Sequence, residues 1–302
     1  MAHTSPDHNI DFTAPLDTKQ LIGRRVLITG GASGIGAGCA RLFVTHGAHV
    51  VIADLNEELG KAVVTELEGI HFIPVDVTSF TSQKAMFATA LEILPGHEID
   101  VLIPCAVLMG GFWDYTPQPA SSLTSTDPST STVEPPTKGL QVGLLGTYHS
   151  ALLCSKYCMG LHQQHSNTPS NPLSSTPSQS GSGPGQLQYD KAIILIGSLA
   201  SYGSLPGSPE YTSMKWGTRG LFRSLRIELL KTGVRVHMLA PTFVETPMTA
   251  SIVPQLKKAG ASFASVESVA EVVGRLVGER GVNGEFAVFY LFSFFPPILY
   301  PL

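Results

Sequence analysis

Arg25-Val26-Leu27-Ile28-Thr29 is an apolar strand that runs straight into Gly30-Gly31-Ala32-Ser33-Gly34-Ile35-Gly36. An amphipathic stretch follows, with Ile35, Cys39, Leu42 and Phe43 at helical spacing and Gly47 placed to close the helix. The order strand, glycine turn, helix narrows the choice of fold sharply. Glycines let the backbone approach a pyrophosphate closely, and a helix N-terminus offers free N–H groups and the positive end of its dipole. A dinucleotide cradle is expected here, built from Thr29, Gly30, Ser33, Gly34, Ile35 and Gly36.

The next strand, His49 to Ala53, ends at Asp54, near the roughly 20-residue spacing at which an acidic residue bonds the adenine ribose hydroxyls. A carboxylate there repels a 2′-phosphate, and no arginine or lysine follows at once. NAD is favoured over NADP.

The alternation continues. Helices are expected over 56–68 and 80–94, and strands at His71 to Val75, leading to Asp76, and at Ile99 to Ile103. A helix over 138–161, a fully apolar strand from Lys191 to Ser198, a helix carrying Tyr211 to Gly233 and a strand from Val234 to Leu239 come next. A helix near 266–278 and a last strand near 284–291 complete the pattern. Strands alternating with helices at this interval give an α/β fold, a Rossmann-type doubly wound parallel sheet with helices on both faces. Ligands on such sheets sit outside the carboxyl ends of the strands, the edge that Asp54, Asp76 and the segment after Ile103 share.

With 302 residues and a hydrophobic fraction of 43%, the chain has enough apolar side chains for one large core. Residues 1–20 are polar and without period and are expected to form a flexible arm, leaving a single domain over 21–302. Two low-complexity insertions interrupt it, at 115–137 and at 165–186. The first leaves the cofactor edge, where it is either a lid or disordered. The second emerges on the opposite face as a surface insertion. The segment 242–265 is expected to be a flap over a substrate.

A net charge of −4 gives no reason to expect nucleic acid as a partner. Met1 to Asp7 has neither a basic region nor an apolar core, so a cytoplasmic location is expected. Cys39, Cys105, Cys154 and Cys158 lack zinc-site spacing and read as buried thiols, so no metal is expected. From Phe286 to Leu302 the chain is uncharged but broken by Pro296, Pro297 and Pro301, which suits a subunit contact and argues against membrane insertion.

Chemistry enters at Tyr211 and Lys215, four apart and so on one helix face, with Ser198 at the end of an apolar strand. A phenol titrates near about pH 10, and an adjacent ammonium favours its charged form. Ser198 can hold a substrate oxygen against that phenol.

These residues together resemble the short-chain dehydrogenase/reductase family over most of residues 22–291, with fungal members closest in wording. The resemblance rests on Thr29-Gly30, Gly34 and Gly36, on Asp54, on Asp76-Val77, on Ser198, Tyr211 and Lys215, and on Pro241 with Thr246. It implies an NAD(P)-dependent oxidoreductase interconverting a secondary alcohol and a ketone on a small, apolar substrate. Tyr211 would be the acid/base, Lys215 would hold the nicotinamide ribose and lower the Tyr211 pKa, and Ser198 would hold the substrate oxygen. Asp76 and Val77 would lie near adenine; Ala106, Pro241, Val244 and Thr246 would complete the cofactor contacts. The family also implies a homodimer or homotetramer.

Two positions depart from the family. Its Asn-Asn-Ala-Gly is here Pro104-Cys105-Ala106-Val107, and the asparagine of its proton relay falls on Gly143. The alternative that these departures raise is a non-redox proton transfer (isomerisation, cyclisation or dehydration) in secondary metabolism.

Overall fold

The computed structural model describes residues 14–110, 116–124, 126, 134–159, 190–258 and 260–279. Within them, β1 (Arg25–Thr29), β2 (His49–Asp54), β3 (Ile70–Pro74), β4 (Val101–Pro104), β5 (Lys191–Ile196) and β6 (Val234–Leu239) form a sheet of order β3-β2-β1-β4-β5-β6, parallel throughout. The strand order reverses between β1 and β4, and there the crevice for a ligand opens. The expected strand near 284–291 and the tail from Phe286 lie outside the described residues, as does the insertion at 165–186.

Period-two alternation sends side chains to both faces of this sheet. Val26, Ile28, Val50, Ile52, Ile103 and Ile194 meet α1 (Gly34–Thr45) and α7 (Val266–Gly278) through Phe43, Val273 and Leu276. Leu27, Val51, Leu102, Ile193 and Leu195 meet α3 (Phe80–Ile93) and α5 (Pro209–Glu228) through Met86, Phe87, Phe222 and Leu225. The helix α2 (Glu57–Glu66) packs beside β3, with Phe72 lying over Gly60.

The helix expected over 138–161 forms but is not uniform. Its first part, Leu140–Gly146, is π-helical, followed by α4 (Thr147–Leu153) and a second π-helical turn, Cys154–Cys158. Each π turn carries an extra residue and widens the coil, a feature found mostly at functional sites. Gln83 anchors the first turn. Its side-chain amide donates to the Val77 and Gly146 carbonyls at 2.6 and 3.1 Å and accepts from Ser150 at 2.8 Å.

Three details differ from expectation. Residues 14–20 belong to the packed body: Leu16 joins the core beside α7, Asp17 caps a 3-10 turn (Thr18–Leu21), and Arg275 donates to the Ala14 carbonyl. Leu16 supplies the apolar contact that the polar composition of the segment hides. The 242–265 segment is partly ordered by β7 (Phe243–Val244) pairing with β8 (Phe263–Ala264), with α6 (Val253–Lys258) between them. Last, Arg235 in β6 is fully buried. It donates to the Val277 and Glu279 carbonyls at 2.7 and 3.1 Å, as well as to Leu276, neutralising the C-terminal dipole of α7.

Charges gather at the opposite edge of the sheet. Arg25 grips Asp100 with contacts of 2.6 and 2.8 Å and reaches Glu98 at 3.1 Å, and Lys191 approaches Asp100 at 3.3 Å. Among the described residues no helix is long and apolar enough to cross a membrane.

Candidate active site

The glycine turn is shaped by close backbone approach. Gly30 has φ +67, and a Cβ on it would lie 2.5 Å from the Ala106 nitrogen; one on Gly36 would lie 2.2 Å from the Gly30 oxygen. Ser33, the N-cap of α1, makes no side-chain capping bond, so the first-turn N–H groups are left to a ligand. Gly30, Ser33, Gly34, Ile35 and Gly36 all line a cavity of about 310 Å³ that continues past Asp54, Asp76, Val77 and Ala106 to Thr246.

Asp54 is fixed by the turn itself, accepting from the Ala32 N–H at 3.1 Å and from Asn56 at 3.0 Å. Asp76 accepts from the Thr78 hydroxyl at 2.6 Å and its N–H at 2.9 Å. These bonds, with Lys138 across the cavity, hold its carboxyl below the usual range despite some burial. Thr246 packs its methyl against Gly34, and its N–H donates to the Thr249 hydroxyl at 3.0 Å.

Pro104 opens the cleft. It brings no N–H, and the pairing of β4 with β5 ends two residues earlier, at Leu102 opposite Ile193. On the other side Cys105 still donates to the Thr29 carbonyl at 2.9 Å. Cys105 and Ile196 therefore line the cavity where the two strands part. Val107 lines it too and does not need a glycine's backbone freedom: the single non-glycine residue with positive φ among those described is His97.

Ser198, Tyr211 and Lys215 meet behind Ile196. The Ser198 hydroxyl lies beside the Tyr211 phenol and pulls its pKa down, and it also accepts from the Ala200 N–H at 3.2 Å inside a capping box with Ser201. Lys215 is buried; its ammonium donates to the Ile196 carbonyl at 2.8 Å and lies 5.6 Å from the centroid of the Tyr211 ring. Burial pushes the Lys215 pKa down to about 8, against an opposing pull from Cys105.

The expected lowering of the Tyr211 pKa by Lys215 is not what this arrangement produces. Burial raises the phenol, and the Ser198 hydroxyl offsets only part of that. The Lys215 charge is directed to the Ile196 carbonyl.

Of the expected contacts, Ser198, Tyr211 and Lys215 stand behind the cavity wall without lining it, and Thr29, Pro241 and Val244 do not line the cavity. Thr29 is buried under the turn, Val244 packs in the core beside Ala264, and the Pro241 carbonyl accepts from Leu199 at 3.1 Å, supporting the Ser198 loop. The sequence reading missed Lys138, which lines the cavity, and Glu210, which is buried next to Tyr211. One Glu210 carboxylate oxygen accepts from Gly139 at 2.6 Å and Leu140 at 3.3 Å, capping the helical run 138–158. The signal for Glu210 was an acidic residue in the first turn after Ser208-Pro209, which pointed to its own helix when it serves another.

The cysteines are free, with Cys39, Cys154 and Cys158 buried, and among the described residues no metal-binding cluster occurs. The backbone cradle, the open helix N-terminus and Asp54 fit a nicotinamide dinucleotide.

The profile of the short chain dehydrogenase family matches residues 24–150 and 188–257, well over half the chain. The chain belongs to that family.

As a short-chain dehydrogenase it is an oxidoreductase that acts on a CH–OH group of a small substrate with NAD or NADP. Its sequence is 32% identical to 5'-hydroxyaverantin dehydrogenase of Dothistroma septosporum over 258 residues, 83% of this chain and 77% of that one. It is 31% identical over 239 residues to the NADP-dependent dehydrogenase M3 of a Phoma species, covering 78% of this chain and 64% of that one. The crystal structure of gox2181 superposes with a TM-score of 0.65 at 22% identity, over 89% of this chain and 96% of that one, which shows the shared fold.

Proposed function

We propose that this dehydrogenase interconverts a secondary alcohol and a ketone on a small, apolar substrate, with Tyr211 as the proton-transfer residue. One arrangement carries the reading: the Ser198 hydroxyl lies beside the Tyr211 phenol, and Lys215 ties that group to Ile196, a residue of the cavity wall. A substrate oxygen set between the two receives hydrogen bonds from both. A bound nicotinamide supplies or takes the hydride at the neighbouring carbon. In reduction, Tyr211 gives its proton to the oxygen as negative charge builds there, and Ser198 steadies that charge. At neutral pH a phenol with a raised pKa holds its proton, which suits the reducing direction. Lys215 is assigned to the nicotinamide ribose.

NAD is proposed over NADP because the Asp54 carboxylate faces the cavity where a 2′-phosphate would bring like charge. The Phoma relative's NADP dependence makes both cofactors necessary in the assay. A cytoplasmic location accords with four free cysteines. A homodimer or homotetramer is proposed from the exposed apolar side chains Leu145, Tyr148, Leu152 and Tyr157 on the 138–158 run and Trp216 and Ile227 on α5.

The assay is NADH and NADPH oxidation against a ketone panel, with the wild type beside Tyr211→Phe. Ketone-dependent loss of nicotinamide absorbance that disappears in Tyr211→Phe is the expected result. Product formed with no change in absorbance would instead support a non-redox reaction.

A further inference from the structure

Ser198 and Tyr211 stand at the two ends of one loop, which opens with a 3-10 turn (Leu199–Ser201) and enters α5 at Pro209. Near its start the Leu199 N–H donates to the Pro241 carbonyl at 3.1 Å, tying the loop to the chain that leaves β6. Three side chains of α5 reach back to the rest of it. The Thr212 hydroxyl accepts from the Leu205 N–H at 3.0 Å, and the Trp216 indole donates to the Gly203 carbonyl at 3.4 Å. The Arg219 guanidinium lies over the Tyr202 ring, 4.3 Å from its centroid. Positions 212, 216 and 219 are four and three apart, so they form one stripe along the helix. Arg219 is also 5.7 Å from the Trp216 ring, and a planar cation between two aromatic groups is well suited to hold its place.

We infer that Thr212, Trp216 and Arg219 are positioning residues that clasp the Ser198 loop to the helix carrying Tyr211, with the Arg219–Tyr202 stack as the fastening nearest Ser198 in the chain. The inference rests on the reading of Ser198 and Tyr211 as the two partners of a substrate oxygen.

Ser198 is built into the turn that the stack holds. Its N–H donates to the Ser201 hydroxyl at 3.2 Å, and its own hydroxyl accepts from Ala200 at 3.2 Å. The Tyr202 N–H closes the turn on the Leu199 carbonyl at 2.9 Å. A shift of the Tyr202 ring is therefore passed to the Ser198 hydroxyl within one turn. Tyr211 moves with α5 itself. The clasp refers both groups to a single helix, so the gap that a substrate oxygen must bridge depends on Arg219. A misplacement of about 1 Å at such a gap can slow a reaction about a hundredfold. Thr212, Trp216 and Arg219 do not line the cavity, so their loss leaves the cofactor cradle as it is.

The test follows single turnover of a ketone that the wild type reduces, by preformed enzyme–NADH complex in excess, so that slow variants still give a rate. NADH binding is measured beside it by fluorescence. Arg219→Ala and Tyr202→Leu should each slow turnover about tenfold while NADH binding stays within about twofold, and combining them should be no slower than either alone. Tyr202→Phe, which keeps the ring face, should recover most of what Tyr202→Leu loses. In a Ser198→Ala background Arg219→Ala should cost less than about twofold, because the group it positions is gone. If Arg219→Ala is too unstable to assay, Thr212→Val, which removes the acceptor for Leu205, carries the same comparison. An Arg219→Ala rate equal to wild type, or an equal loss with and without the Ser198 hydroxyl, overturns the inference. Wild-type turnover by Ser198→Ala would overturn the catalytic reading instead.

Discussion

The Lys215 ammonium lies against the face of the Tyr211 ring, 5.6 Å from its centroid, and gives its hydrogen bond to the Ile196 carbonyl at 2.8 Å. Lysine and tyrosine are thus neighbours whose ionisations are set mainly by burial. The pair sits behind Ile196, which lines the cavity.

Lys215 makes folding stability depend on pH in a direction opposite to that of a lysine whose pKa is raised by an ion-pair partner. Its folded pKa of about 8 lies below the ordinary lysine value of about 10.5. Between those values the unfolded chain holds the proton and the folded chain does not, so stability rises with pH. Relative to Lys215→Met, the cofactor-free wild type should gain up to about 3 kcal/mol from pH 8 to above 10. Thermal melts of both proteins across that range check it; parallel curves would contradict it.

Glu210→Ala strips the cap from the 138–158 run by leaving the Gly139 and Leu140 N–H groups without their carboxylate. The cost should be about 1–3 kcal/mol, with much of it recovered in Glu210→Gln, whose side-chain oxygen can still accept. Urea unfolding of the three proteins distinguishes them.

The sheet and its glycine turn were legible because strand and helix periods follow from local sequence, as was the neighbourhood of Ser198, Tyr211 and Lys215. Contacts at a distance were not. Nothing local to Gly143 says that Met214 fills the space beside it, and Glu210 caps a helix through Gly139, 71 positions earlier in the chain. The Tyr211 shift was misjudged for a related reason: helical spacing brings the ammonium near the ring, but burial and the Ile196 carbonyl are set by the fold.

Asp54→Ser removes the charge opposed to a 2′-phosphate but also releases the bond that steadies Ala32. The expected outcome is a shift in the NADH-to-NADPH preference of about tenfold or more toward NADPH, with weaker binding of NADH itself. Fluorescence titration of each cofactor measures both effects. An unchanged ratio would show that Asp54 does not select the cofactor.

Acid should loosen the edge of the sheet remote from the cleft. Burial pushes Asp100 upward, but the Arg25 hydrogen bonds and the Lys191 and Arg25 charges outweigh it and hold its carboxyl below the usual range; Glu98 is lowered similarly. A lowered folded pKa contributes stability above the unfolded pKa that is lost as pH falls through the folded value. Wild type should therefore lose its advantage over Asp100→Asn as the pH falls from 5 to about 2 in denaturation experiments.

The central claim is that Tyr211 moves a proton to a substrate oxygen while a hydride reaches the adjacent carbon. Its most direct measurement is transfer from NADH deuterated at the nicotinamide C4, followed by mass spectrometry of the alcohol product. One deuterium on the carbinol carbon with wild type, and none with Tyr211→Phe that still binds NADH, is the predicted result. Product formed by wild type without deuterium, or full transfer by Tyr211→Phe, would contradict it.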